Sequence, residues 1–386
     1  MKGLRLAVAL GLFLASAAAF AEEQGAVDSL FEDPADDSVV DADAEPAKGL
    51  LDEVAGSEPL FFSGSLSASV GIVGGWTRVP AGLEGLGTPD LSGYFEFSNR
   101  LNAKARLDRS FAVSGTFLTE CPDFSVAVEE LFFDYTLAER IFFRVGKQKN
   151  AWGNGRIFTF TDLITEDGGL GLTVKAYAPI GGGGLTVALL ERSAFHPATD
   201  YPGLSTLAYL GKADFRIGPV EVQTSGRYRE AEGFRATAAL KTSTLGFELF
   251  HESLIASPDL KALAYSAVSG FYRECRDIGL KVYGEHAYKD GSEAGAGHRA
   301  ALAAVMDLFS RPGFRARAGF SWEHAFADSS GEAIPAILLE PAPYLSLKLG
   351  MPLLYGADGS YYVTESEDPT KRRVSFAVAA TITASY

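Results

Sequence analysis

The strongest pattern in the chain is a two-residue alternation of apolar and polar positions. From Val374 onward, Val374, Phe376, Val378, Ala380, Ile382, Ala384 and Tyr386 are apolar or aromatic, and the residues between them, Ser375, Ala377, Ala379, Thr381, Thr383 and Ser385, are small or polar. Successive side chains of a β-strand point to opposite faces, so this segment offers one apolar face and one water-compatible face. The pattern recurs along the chain. Leu91, Phe95, Phe97 and Leu101 alternate with Tyr94, Glu96, Arg100, Lys104 and Arg106. Val220, Val222 and Tyr228 alternate with Glu221, Gln223, Arg227 and Arg229, and Phe314, Phe320 and Trp322 with Arg315, Arg317 and Glu323.

Strand length separates a membrane wall from a soluble sandwich. Sandwich strands average about five or six residues, whereas these segments run to about ten or more, as a tilted strand crossing a bilayer must. After Ala21 no apolar run approaches the roughly 20 residues that a membrane helix needs. Composition agrees, because 47% hydrophobic residues with 42 glycines and many aromatics suits short strands and tight turns. The fold class expected is all-β, a transmembrane antiparallel up-and-down barrel of about 18 strands, with 16 as the competing count. The strands begin near 61–75 and end with 313–325, 341–351, 359–366 and 372–386.

The connections sort by length. Short turns are expected at Leu107–Ser110, Ala138–Arg140, Gly181–Gly184, Ile217–Pro219, Lys241–Ser243 and Ser310–Gly313, all rich in turn formers. Long ones, at 76–90, 151–169, 194–204, 289–297 and 326–340, fall at the opposite end, as expected when both termini lie in the periplasm. The same topology puts Cys121 and Cys275 at opposite rims, beyond the roughly 7 Å between Cα atoms that a disulfide tolerates.

Charge then splits the chain into parts. Lys2 and Arg5 precede an apolar stretch from Leu6 to Phe20 and an Ala19-Phe20-Ala21 site, which together read as a Sec-type signal peptide over 1–21, cleaved after Ala21. Residues 22–58 hold thirteen acidic side chains against Lys48 alone, so most of the net charge of −15 sits there. Such a segment buries too little apolar surface to order itself and is expected to be a disordered periplasmic extension. The barrel is expected to span 59–386.

Within the barrel the charges occupy one face of each strand. An Arg or Lys on the lipid face costs about 2–4 kcal/mol at the midplane, so these side chains are expected to line a hydrated lumen. Glu96, Arg100, Lys104, Arg106, Glu130, Asp134, Arg144, Gln148, Arg227, Arg229, Arg315 and Arg317 are the predicted pore-lining residues. Both signs are present in near balance, and only the arginine-rich 227–229 and 315–317 segments lean towards anions.

One local motif stands apart. Residues 144–158 contain Gly146-Lys147-Gln148 and Trp152-Gly153, with Thr161-Asp162 close behind. A Gly-x-Gln strand followed by Trp-Gly resembles a motif of large porin-like barrels, among them uncharacterised families and the alginate-export and phosphate-selective porins. The resemblance implies a passive channel for small hydrophilic solutes or ions. If the following loop folds inward, Trp152, Gly153, Gly155, Arg156 and Asp162 would form a constriction. The final strand likewise resembles the insertion signal of bacterial outer-membrane barrels, carried by Phe376, Val378, Ile382 and Tyr386. It implies insertion into the cell outer membrane by the barrel-assembly machinery, with lipid as the surrounding partner. A homotrimer and a monomer are equally compatible with these features.

Other chemistry is sparse. No phosphate loop and no zinc-type spacing occurs, and no metal or cofactor is expected. A negative chain without a basic patch argues against nucleic acid. Among the five histidines only His251, with Ser253 two residues on, resembles a hydrolytic dyad; a pair at that spacing is ordinarily incidental, and the chain is read as non-enzymatic. A barrel plugged for hydrophobic solutes and a surface adhesin are the alternatives.

Overall fold

The computed structural model describes residues 60–76, 88, 90–106, 110–121, 124–149, 152–163, 170–191, 206–258, 262–291, 295–357, 359–363 and 374–385. The signal peptide, the acidic extension, Asn150 and Tyr386 lie outside them. The strands run β1 (Leu60–Trp76), β2 (Asp90–Arg106), β3 (Phe111–Cys121), β4 (Ser125–Leu137), β5 (Ile141–Lys149), β6 (Leu170–Ile180) and β7 (Gly183–Glu191). Next come β8 (Ala208–Ile217), β9 (Val220–Arg229), β10 (Gly233–Thr244), β11 (Phe247–Ser257), β12 (Ala264–Cys275) and β13 (Leu280–Lys289). The last are β14 (Gly297–Arg311), β15 (Phe314–Ala325), β16 (Ser330–Ala342), β17 (Leu345–Gly350), β18 (Leu353–Tyr355) and β19 (Val374–Ser385).

Each strand pairs antiparallel with its neighbours, and β19 returns to pair with β1 over Ser65–Trp76, closing the sheet. Closure leaves no edge unpaired, which lipid requires. Both β17 and β18 pair with β16 on one side and β19 on the other, so they are two pieces of one wall strand. The wall therefore has eighteen positions.

The two faces differ as the alternation predicts. Val70, Ile72, Phe95, Val187, Leu240, Ile255, Val378 and Ile382 are exposed apolar side chains on one face. Ser69, Gln148, Thr173, Ser225, Arg227, Glu252 and Glu285 are buried polar ones on the other. A soluble protein would invert that arrangement; a barrel in lipid requires it.

Three local expectations are corrected. Residues 326–340 read as a long loop, but Phe326–Ser329 make a short turn and the rest enters β16. Proline hid this strand. Ile334 and Pro335 stand opposite Met351 and Pro352, the break between β17 and β18, so two residues without an N–H meet where the ladder is interrupted. Conversely, the strand expected at 359–366 is absent among the described residues. Gly359–Val363 form turns, with Gly359 N–H donating to Val363 O at 2.7 Å and Gly359 at φ +81°. These two errors offset each other in the strand count. The turn expected at Lys241–Ser243 sits later, at Leu245–Gly246, where φ is 52° and 78°. Glycine tolerates that left-handed conformation, and the polar Lys241-Thr242-Ser243 run belongs to β10. Cys121 and Cys275 are free thiols at the ends of strands that run in opposite directions.

Candidate functional site

Between β5 and β6 the chain makes an excursion whose described part is Trp152–Leu163. β5 and β6 are neighbours, yet this segment reaches β9, β11, β13 and β14. With strands roughly 4.8 Å apart, passing from β6 to β13 around the outside would take roughly 35 Å of chain. Every wall residue it meets lies on the polar face. The segment therefore crosses the interior.

Its own fold is set by one carboxylate. Asp162 Oδ2 accepts the backbone N–H of Trp152 at 2.8 Å and of Gly153 at 2.9 Å, closing the segment into a compact loop. Gly155 is required by space: a Cβ there would lie 2.2 Å from Phe158 O. Trp152, Phe158, Thr161, Asp162 and Leu163 are buried. Trp152 and Leu163 pack with Ala188, Leu190, Ala208, Leu210 and Leu254, and Phe158 with Phe250, Val268, Ala287 and Ala301.

The wall holds this loop by its backbone. Glu285 on β13 accepts three consecutive N–H groups, Arg156 at 2.7 Å, Ile157 at 3.1 Å and Phe158 at 2.8 Å. Glu252 on β11 accepts the Asn154 N–H at 2.7 Å and its side-chain amide at 3.2 Å. Gln223 donates to Trp152 O at 2.6 Å, and Arg227 to Leu163 O at 2.8 Å. Both carboxylates are almost fully buried, so the N–H groups supply the solvation that water would give elsewhere. At the tip, Arg156 donates to Glu248 at 3.2 Å and lies over the rings of Tyr272 and Tyr283, 4.9 and 5.4 Å from their centroids. Those rings stack on each other at 4.7 Å.

A second inward contact lies near the loop end of the barrel. Arg299 on β14 stands over Phe158, Phe160 and Tyr361 and donates to the Tyr361 hydroxyl at 3.1 Å. Tyr362 donates to Glu323 at 2.8 Å, and burial, reinforced by the Glu323 charge, holds its phenol well above the ordinary value of 10. Asp328, in the turn before β16, accepts the N–H groups of Ser330 and Tyr361 and the Ser330 hydroxyl. Burial alone would raise its carboxyl pKa, but these hydrogen bonds outweigh it and hold it below the ordinary 3.8.

All twelve predicted pore-lining residues fall on the inward face, at different stages of commitment. Glu96, Arg100, Lys104 and Arg106 lie on β2, Glu130 and Asp134 on β4, and Arg144 and Gln148 on β5. Arg100 is half-exposed and pairs with Glu129 at 2.9 Å. Arg144 grips Asp134 through two bonds of 2.7 and 3.1 Å, Glu130 accepts the Lys149 N–H at 2.8 Å, and Gln148 is buried. The arginines read as leaning towards anions are paired with acids. Arg227 and Arg229 share Glu232, Arg315 pairs with Asp307 at 2.9 Å, and Arg317 with Glu340 at 3.3 Å. Trp152, Gly153, Gly155, Arg156 and Asp162 come together in the inward loop, while Phe376, Val378 and Ile382 lie on the outer face of β19. The anchoring roles of Glu252, Glu285, Gln223 and Arg299 were not legible in the sequence. Gln223 stood on a polar face in the sequence, but the loop partners of Gln223, Glu252 and Glu285 lie 71, 98 and 127 to 129 residues away in the chain.

Several solved structures share the fold. Pseudomonas aeruginosa OccK2 (OpdF) matches at a TM-score of 0.53 and 11% identity, over 84% of this chain and 98% of that one. Pseudomonas aeruginosa OccK11 (OpdR) matches at 0.51 and 12%, over 84% and 96%. A BenF-like porin from Pseudomonas fluorescens Pf-5 matches at 0.51 and 10%, over 84% and 99%. No family model matches the chain, and no curated relative does. The likeness is one of fold, and it spans 96–99% of each of these chains.

Proposed function

We propose that this protein is an outer-membrane porin through which small hydrophilic solutes or ions diffuse passively, along a charged lumen narrowed by Trp152–Leu163. The observation that carries this reading is the loop itself, drawn across the interior of an eighteen-strand barrel and tied to the opposite wall by Glu252 and Glu285. A barrel of this size leaves an aqueous channel unless something fills it. Asn154, Arg156 and Thr159 are the polar residues of the segment that are not buried, and β2 to β5 keep half-exposed charged side chains on the inner wall. Solutes would pass between Arg156 and that wall. The likeness to a BenF-like porin and to the OccK barrels supports the same reading.

The rest of the chain follows from this placement. Residues 1–21 direct export, with cleavage after Ala21, and residues 22–58 remain periplasmic as an acidic extension. Phe376, Val378, Ile382 and Tyr386 present the insertion signal to the barrel-assembly machinery. The Gly146–Gln148 and Trp152–Gly153 motif belongs with the porin-like families it resembles, and its role is to launch and turn the constricting loop.

Single-channel recording of the refolded mature protein in a planar bilayer, under a salt gradient, tests this. Discrete long-lived openings are expected, with a reversal potential set by whichever lumen charges dominate. A folded, heat-modifiable barrel that conducts nothing would replace this reading with a plugged transporter or an adhesin.

A further inference from the structure

Four of the five histidines sit on the lipid-facing surface, all on the flank from β11 to β15. At His251 both ring nitrogens lie within hydrogen-bond distance of a serine hydroxyl. In β11 the inward residues are Glu248, Phe250, Glu252 and Leu254, so Leu249, His251, Ser253 and Ile255 look outward. His251 Nε2 lies 2.9 Å from Ser253 Oγ, and its Nδ1 lies 2.8 Å from Ser269 Oγ on the adjacent strand β12. The Tyr265 hydroxyl, also on β12, is 3.2 Å from Ser253 Oγ. His251 and Ser269 are directly paired in the ladder, which fixes the third member of the row.

Spacing alone made His251 and Ser253 an incidental pair; three hydrogen bonds in series do not. When Nδ1–H donates to Ser269, Nε2 keeps its lone pair and accepts the Ser253 proton, the tautomer a nucleophilic serine needs. Polar groups on a lipid-facing wall must find partners in any case, so satisfaction by itself decides nothing. The order decides: serine, imidazole, orienting hydroxyl, with a phenol beside the nucleophile. The phenol is placed to donate to an oxyanion forming next to Ser253. Ile255, Leu249 and Tyr265 are all substantially exposed around the row, giving an acyl chain an apolar bed.

We propose that His251, Ser253, Ser269 and Tyr265 form an esterase site on the outside of the barrel, acting on the acyl esters of membrane lipids. Ser253 Oγ attacks the ester carbonyl and bonds to the acyl carbon, while its proton passes to His251 Nε2. The ester C–O bond breaks, and His251 returns that proton to the departing alkoxide, releasing the lyso-lipid. Water then attacks the acyl-serine, gives a proton to His251, and the fatty acid leaves as Ser253 regains its proton. Ser253 and His251 are the catalytic residues, Tyr265 stabilises the oxyanion, and Ser269 positions the imidazole. Because Ser269 is neutral, it orients the ring without stabilising the imidazolium, and turnover should be slow by the standard of carboxylate triads. The lipid face is where such a substrate already lies, and the proposal is independent of any passage through the lumen.

The test uses the full refolded protein in vesicles of phosphatidylethanolamine, with an alkyl fluorophosphonate as a serine-directed probe. Fatty-acid release and a probe adduct mapped to Ser253 are expected. Ser253→Ala should abolish both, and His251→Asn should lower release at least 100-fold. Ser269→Ala should lower release about tenfold, and Ser269→Thr, which restores the hydroxyl, should recover most of it. Heat-modifiable migration reports that each variant has folded. If folded wild type takes no probe and releases no more fatty acid than folded Ser253→Ala, the proposal is wrong and the row is a structural network. Equal release from Ser269→Ala and Ser269→Thr would overturn the positioning role.

Discussion

The two halves of the inner wall treat charge in opposite ways. On β2 to β5, Arg100 is half-exposed, Lys104 and Arg106 are exposed, and Arg144 meets Asp134 in a two-bond pair open to the lumen. On β9 to β14, Arg227, Glu252 and Glu285 are almost fully buried, and the inward loop takes up their hydrogen bonds with its backbone. The same alternating sequence pattern produced both walls. What separates them is whether a segment from elsewhere in the chain covers the charges. A lumen carboxylate is thus a solvated field source on one side and a structural clasp on the other.

That contrast can be broken most forcefully at Arg227. Arg227→Met removes a buried guanidinium that joins Leu163 O to Glu232, leaving the buried Leu163 carbonyl without its donor while Glu232 keeps Arg229. Leaving a buried acceptor without its donor costs about 1–3 kcal/mol, so the urea midpoint of the refolded barrel should fall. Gly155→Ala comes next. Its Cβ would lie 2.2 Å from a backbone oxygen, and overpacking of this kind costs about 1–3 kcal/mol. The cost falls on the loop rather than the wall, so channel steps should become larger or multiple while the unfolding midpoint barely moves.

On the open wall the same kind of change should alter selectivity and little else. Arg100→Gln removes a half-exposed partner of Glu129, worth at most about 1 kcal/mol, but it leaves the lumen more negative. The reversal potential under a salt gradient should move towards cation preference. The smallest effect concerns Asp328. Its pKa is depressed in the fold, so its contribution is present above the ordinary carboxylate value and is lost as pH falls through its lower folded value. Asp328→Asn should therefore abolish a small acid-side change in loop-end mobility, read by hydrogen exchange at the Tyr361 amide.

Much of the wall was legible because period two is a local property: Phe95, Glu96, Phe97 and Arg100 declare their faces without reference to anything distant. The strand at Ser330–Ala342 was not, because Pro335 argues against a strand until its partner break at Met351–Pro352 is known. The tight bend at Trp152-Gly153-Asn154-Gly155 could be read from glycine and tryptophan. Its destination could not, since Glu252 and Glu285 lie about 100 and 130 residues further on. Nor could pairing be read for Arg315 and Arg317. Two arginines in one strand look like an anion path, and only the neighbouring strands reveal Asp307 and Glu340.

Paired single-channel recordings of wild type and Glu252→Ala/Glu285→Ala test the central claim most directly. Glu285 alone accepts three loop N–H groups, and hydrogen bonds to a charged acceptor contribute about 1.5–3 kcal/mol each. Removing both carboxylates should free the segment from the far wall, and the unitary conductance should rise severalfold in a barrel that still folds. Steps of the same size in both folded proteins would mean that the inward loop does not limit the pore, which contradicts its role as the constriction.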